Sequence, residues 1–121
     1  MEPAVHLAHQ TQVTLYVEGT GERTRTLELW IVCVDDHAYL RALSGVGTRW
    51  YRQIATTTAQ LWWPEGIVRA RFEPVEDTAL LDRIDTAYEE KYGLGWPGPV
   101  GFIIAPAARE ATLRVVLGKE D

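Results

Sequence analysis

Two tight turns do most to limit what this chain can fold into. Asp35-Asp36 lies between two apolar-rich runs, and aspartate tolerates the left-handed backbone that a two-residue hairpin link demands. Trp63-Pro64-Glu65-Gly66 places proline and glycine at the second and fourth positions of a reverse turn. Each turn joins strands that are neighbours in sequence, so antiparallel hairpins dominate the fold. Around them the period-two signal recurs: Val13, Leu15 and Val17 alternate with polar neighbours, and Gly19-Thr20-Gly21-Glu22 then turns the chain. The run from Arg25 to Val34 starts alternating and ends apolar on both faces, as a strand does when a helix or a second subunit covers its outer side.

In the strand from His37 to Leu43, Ala38, Leu40 and Ala42 face inward and His37, Tyr39 and Arg41 share the other face. Ala59 to Trp63 and Ile67 to Glu73 form the second hairpin, with Val68, Ala70 and Phe72 inward and Arg69 and Arg71 outward. Ala111 to Leu117 supplies the closing strand. A short helix is expected from about Thr48. A longer one is capped by Asp77, carries Leu80, Leu81, Ile84, Tyr88 and Tyr92 on one stripe, and ends at Gly93. The glycine- and proline-rich stretch from Gly93 to Gly101 reads as a loop, and Pro106 begins a short turn. The expectation is a mainly β (α+β) domain over residues 1–121, a six-stranded antiparallel barrel with two to three helices and a flexible or loosely packed segment over residues 1–10. Closing six short strands on one another removes exposed edges.

Bulk composition narrows function by exclusion. A formal net charge of −5 cannot build a uniformly basic surface, so no nucleic-acid partner is expected. No apolar run is long enough to span a bilayer, and the first residues have neither a basic start nor an apolar signal core, so a cytoplasmic location is expected. The single cysteine, Cys33, leaves no partner for a disulfide or a CxxC motif and reads as a small buried hydrophobe. His6 and His9 have a metal-compatible spacing without an evident third ligand, and no metal is expected. Glu89-Glu90 and Asp82-Asp85 read as a solvated helix face, and no nucleophile elbow or Cys–His pair is present, so no catalytic residue is assigned.

The chemistry points to Ser44-Gly45-Val46-Gly47-Thr48-Arg49-Trp50-Tyr51-Arg52. A strand end, a glycine-containing turn and a helix start let backbone N–H groups approach an anion, and Arg49 and Arg52, three residues apart, fall on one side of the helix. Thr48 is the N-cap. The pair suits a phosphate-bearing cofactor; the other reading is two surface arginines meeting solvent or carboxylates such as Glu73 and Asp77. Trp50 and Tyr51 suit either a ring-pocket wall or the core. The five tryptophans suit a planar ligand or a subunit interface, and Trp62 and Trp63, adjacent on a strand, point to opposite faces. Trp96 is either a lid over a pocket mouth or the residue that docks its loop.

Gly19-Thr20-Gly21-Glu22-Arg23-Thr24-Arg25, the strand with Trp30, the Asp35-Asp36 hairpin, Tyr39-Leu40-Arg41 and Arg49-Trp50-Tyr51-Arg52, followed by Ala87-Tyr88, Lys91-Tyr92-Gly93, Pro106-Ala107-Ala108-Arg109 and Thr112-Leu113-Arg114, resemble an uncharacterised bacterial domain family grouped with the FMN-binding split β-barrels. The likeness runs over roughly residues 10 to 117 and extends more distantly to the deazaflavin (F420)-dependent nitroreductases. The resemblance implies a six-stranded split barrel, usually a homodimer, with FMN, F420 or in some branches haem in a groove at the subunit interface. It implies that Arg23 or Arg25 approaches the cofactor, that Arg41 to Ser44 line the groove, that Thr48, Arg49 and Arg52 take phosphate, and that Trp50 and Tyr51 wall it. Trp30, Tyr39 and Trp96 are then expected in the substrate pocket. Gln53 stands where the nitroreductases commonly have asparagine, and their phosphate-region lysines are missing. The function implied is a flavin- or deazaflavin-dependent oxidoreductase acting on a small organic substrate. The alternative is a cofactor-free barrel that binds another small molecule or serves specialised metabolism.

Overall fold

The computed structural model describes residues 7–18, 24–54 and 58–117, with backbone only for Glu18, Thr24 and Arg25. Seven strands are described: β1 (Val13–Glu18), β2 (Thr24–Leu29), β3 (Val32–Val34), β4 (His37–Arg41), β5 (Ala59–Trp63), β6 (Gly66–Pro74) and β7 (Thr112–Leu117). They form one sheet in the order β2-β1-β5-β6-β7-β4-β3, every pairing antiparallel. The sheet curls into a half-barrel of the split-barrel type, an α+β fold as expected.

The strand count is seven rather than six because the single run expected from Arg25 to Val34 is broken at Trp30-Ile31. β2 pairs with β1 as far as Leu29 opposite Val13, whereas β3 pairs only with β4, from Val32 opposite Tyr39 to Val34 opposite His37. The two halves of one apolar run therefore lie at opposite ends of the sheet order. Buried backbone groups at such a break need partners, and a helix supplies them: Ile31 N–H donates to Tyr92 Oη (3.1 Å), while Ile31 O accepts from Lys91 Nζ (2.6 Å).

Both hairpins form as read. Asp35 and Asp36 take φ of 53° and 67°, the left-handed pair that a twisted two-residue turn needs, and β5 and β6 meet with Trp63 opposite Gly66. Four helices are bounded among the described residues: α1 (Arg49–Ile54), α2 (Thr78–Tyr92), α3 (Pro97–Ile103) and α4 (Pro106–Glu110). Asp77 caps α2, its Oδ2 accepting from Leu80 N–H at 3.2 Å. Helix α3 corrects the expectation that the segment after Gly93 is too proline-rich for regular structure. Pro97 and Pro99 occupy its first turn, where amides have no intrahelical acceptor and the missing N–H groups cost nothing. The turn expected at Pro106 is likewise a short helix, started by proline in the same way.

Two apolar layers follow from the strand alternation. Leu15, Ala38, Leu40, Ile54, Leu61, Phe72 and Leu113 fill the barrel interior. Val32, Val34 and Tyr39 from the opposite face pack under Ile84, Tyr88 and Tyr92 of α2. Burying each large side chain contributes about 1.5–3 kcal/mol, so the α2 layer alone requires the both-face apolar pattern of β3. Leu7 and Ala8 are buried in the barrel cluster, and Lys91 Nζ also donates to Ala8 O (2.9 Å) and Gln10 O (2.5 Å). Leu7 and Ala8 are thus packed on the barrel, while His9 is exposed; residues 1–6 lie outside those described. No described helix is long and apolar enough to cross a membrane.

Candidate cofactor site

The turn between β4 and α1 is built in steps of three residues. Gly45 N–H donates to Ala42 O (2.9 Å) and Thr48 N–H to Gly45 O (3.1 Å), after which Arg52 N–H to Thr48 O (3.1 Å) begins the helix. Gly45 stands at φ 96°, a conformation open to glycine and strained for any L side chain. A methyl group added there would also sit 3.5 Å from the Ala107 carbonyl oxygen, so α4 backs the turn. Thr48 occupies the N-cap position, but its hydroxyl turns back to donate to Gly45 O at 2.7 Å, bracing the turn.

Around this frame the side chains separate sharply. Ser44, Gly47, Arg49 and Arg52 are exposed, whereas Trp50, Tyr51 and Ile54 are buried in the barrel interior. The helical period accounts for this split, since Arg49 and Arg52 share one side of α1 and Trp50 and Ile54 share another. Trp50 and Tyr51 are core residues, the second of the two roles their sequence allowed. Arg41, Arg69, Arg71, Arg83, Arg109 and Arg114 each make a side-chain hydrogen bond or ion pair. Arg49 and Arg52 make none among the described residues, including to Glu73, which pairs with Arg71, or Asp77, which caps α2. Two guanidinium groups therefore stand beside a glycine-shaped turn with their donors unoccupied.

Arg41, expected to line the groove, is instead buried on the α2 side of the sheet, 2% exposed. Its Nε donates to Thr112 Oγ1 (2.8 Å), Nη1 to Ile103 O (3.1 Å) and Nη2 to Leu81 O (3.3 Å). Nη1 also forms an ion pair with Asp85 at 2.6 Å, and the guanidinium lies 5.3 Å from the Tyr88 ring centroid. With every donor nitrogen engaged, Arg41 is a structural cation. Asp85 in turn pairs with Arg109 (2.6 Å), which reaches Asp82 (2.7 Å). The acidic positions on α2 thus form an ion-pair chain as well as a solvated face. Sequence reading missed this chain, whose signal was Arg41 on the strand face toward the helix that carries Asp85.

Trp30, Tyr39 and Trp96 are only partly brought together. Trp30 lies flat on Tyr92, ring centroids 4.0 Å apart and planes within 2°, and Trp96 leans on both at 5.7 Å and 6.1 Å. Trp96, the residue before α3, remains 45% exposed. Tyr39 belongs to the same apolar layer but is buried, its hydroxyl accepting from Arg114 Nη2 at 3.2 Å. Of the strand pair, Trp63 packs against the barrel interior and Trp62 stacks outside on Tyr16, centroids 5.0 Å apart. Arg23 lies outside the described residues, and for Arg25 the backbone pairs with Val17.

Elsewhere a groove of about 340 Å³ runs between β3 and α2, lined by Cys33, Asp35, Arg83, Thr86 and Glu90 among others. Cys33 is half-buried there rather than fully enclosed, and burial pushes its thiol pKa up, away from nucleophilic use. No group of three or more His, Cys, Asp or Glu side chains suited to a metal occurs among the described residues.

Residues 4–115 match the family described as an uncharacterized protein conserved in bacteria, DUF2255. The chain belongs to this family. No curated protein matches its sequence. Among solved structures, the DUF2255 chain is similar to a FAD-binding protein from Mesorhizobium loti (20% identity, TM-score 0.57, covering 93% of this chain and 85% of that one). It is also similar to a conserved hypothetical protein from Mycobacterium tuberculosis (14%, 0.72, 98% and 82%) and to an F420 reductase (12%, 0.55, 100% and 96%). At these identities the shared property is the split-barrel fold, with the DUF2255 sheet and helices lying within it along almost the whole chain.

Proposed function

We propose that this DUF2255 protein is an oxidoreductase that uses a flavin-type cofactor, FMN or F420, and acts as a homodimer on a small organic substrate. The observation that carries the reading is the exposed pair Arg49 and Arg52 beside the Gly45 turn, unengaged while every other arginine with a described side chain has a partner. Exposed, unoccupied guanidinium groups favour a phosphate, which accepts charge-assisted and often bidentate hydrogen bonds. The fold is shared with proteins named as FAD-binding and as an F420 reductase, which supports a flavin-type ligand in general. Such a cofactor supplies the hydride chemistry. In this chain Ser44, Arg49 and Arg52 would hold its phosphate end on the turn that Thr48 braces, and Trp30 and Trp96 would border the substrate. Leu43, Val46, Leu94, Trp96 and Phe102 are exposed apolar side chains suited to cover by a second subunit.

Titration with FMN and with F420 tests the proposal. Arg49→Ala and Arg52→Ala should each weaken binding by roughly tenfold to a hundredfold, with lumiflavin, which lacks the phosphate, unaffected. Binding of neither cofactor, or equal losses for FMN and lumiflavin, would sink it. A monomer mass by light scattering at micromolar concentration would remove the dimer.

One observation favours a second reading. Arg41, Trp50 and Tyr51, three of the positions expected around the cofactor, are engaged inside the fold. A barrel that keeps an anion site but binds a cofactor-free small molecule accommodates this, and a colourless preparation indifferent to FMN and F420 would select it.

A further inference from the structure

The ion-pair chain through Arg41, Asp85 and Arg109 is linked to the Gly45 turn through β4 and α4. Arg41 is the last residue of β4, and the next residue, Ala42, donates its N–H to Ala111 O at 3.2 Å, just beyond α4. Ala42 O then receives Gly45 N–H, and Gly45 rests on Ala107 of α4. Helix α4 has no side-chain N-cap, and it is held from two sides. Thr112 Oγ1 donates to Arg109 O (2.7 Å) while accepting from Arg41 Nε, and the Arg109 guanidinium bridges Asp85 and Asp82 of α2. The turn, its foundation strand and its backing helix are thus tied to one another through Arg41, Asp85 and Arg109, whose charged side chains are wholly or largely shielded from solvent, while Asp82 at the outer end is exposed.

We infer that Asp85 and Arg109 are positioning residues for the Ser44–Thr48 turn: they hold α4 against Gly45 so that the turn keeps the shape that presents Arg49 and Arg52. The role of that turn in holding a phosphate rests on the function proposed above; the positioning itself does not. A turn whose own bonds are short-range and whose core residue is a glycine has little intrinsic rigidity. Its order has to come from what it leans on.

Amide hydrogen exchange on the ligand-free protein tests this independently of any cofactor. Arg109→Gln, which cuts the outer link and leaves the Arg41–Asp85 pair, should speed exchange at the Gly45 and Thr48 amides by roughly tenfold relative to the β5–β6 hairpin. Asp85→Asn, which removes both ion pairs of that carboxylate, should do so more strongly; if it fails to fold, Arg109→Gln alone decides. Unchanged turn amides, or a uniform acceleration that includes the hairpin, would overturn the inference. If the wild type binds FMN, Arg109→Gln should also weaken FMN by several-fold and leave lumiflavin unaffected, and undiminished FMN affinity would overturn the link to the site. If the wild type binds neither FMN nor F420, the proposed function fails while the exchange result still decides the positioning role.

Discussion

The Tyr92 hydroxyl accepts the backbone N–H of Ile31 at 3.1 Å, across 61 positions of sequence, and donates to Thr11 O at 2.5 Å. One phenol near the end of α2 thereby holds both the break between β2 and β3 and the segment leading into β1. Tyr92→Phe keeps the ring stacked on Trp30 and removes only these bonds, leaving the buried Ile31 amide without its partner. The expected loss is about 1–3 kcal/mol, read as a lower urea midpoint at an unchanged slope. A loss below about 0.5 kcal/mol, the usual size of a surface change, would mean the break is held by other contacts.

Lys91 makes stability depend on pH in an unusual direction. Burial pushes its ammonium from the ordinary 10.5 down to about 8. Between those values the unfolded chain carries a proton on this side chain that the folded chain lacks, so unfolding takes up a proton and stability rises with pH. From about pH 10 the Tyr92 phenol, raised by burial to about 12, acts oppositely, because the unfolded tyrosine has lost a proton the folded one retains. Urea midpoints should climb from pH 8 towards 10 and fall beyond it, and the climb should be absent in Lys91→Met. A wild-type profile that is flat from 8 to 10 would contradict this.

Gly45→Ala separates backbone shape from charge. At φ 96° an alanine is strained by about 1–2 kcal/mol, and relief of that strain would reshape the turn without touching either arginine. We expect a modest drop in melting temperature together with a loss of FMN affinity comparable to that of Arg49→Ala. Full affinity in Gly45→Ala would show that the arginines act without a fixed turn.

Arg41→Met should behave as the inverse of Arg49→Ala. It removes a side chain with no solvent exposure that forms an ion pair with Asp85 and donates to Thr112 and two carbonyls, at a cost of about 3–5 kcal/mol. Arg49→Ala, on an exposed and unengaged side chain, should change stability by less than about 0.5 kcal/mol. Denaturation curves for both, beside their cofactor titrations, distinguish the two roles; a stable Arg41→Met with lost binding would return Arg41 to the ligand site.

The parts of this fold that were legible in the sequence are those decided by neighbours. The Asp35-Asp36 turn, the facing of Ala38 and Leu40 against Tyr39 and Arg41, and the Asp77 cap all depend on residues within a few positions. The break at Trp30-Ile31 was not legible, because a run apolar on both faces has no period to show where pairing changes, and the groups that satisfy it come from Lys91 and Tyr92. Arg41 illustrates the same limit at the candidate site. Alternation placed it correctly on the outer face of β4, but whether that face meets water or a helix bearing Asp85 is a tertiary fact. Pro97 and Pro99 misled for a different reason: proline breaks a helix only beyond its first turn.

The position of β7 has a consequence for the order of events in folding. It pairs with β6 on one side and β4 on the other, and among the described residues it is the one strand that links the β2-β1-β5-β6 group to the β4-β3 pair. As the chain emerges from the ribosome, both groups are synthesised before the strand that joins them, so each waits with an unpaired edge. Such late, non-local closure slows folding and lengthens the exposure of unpaired strand edges.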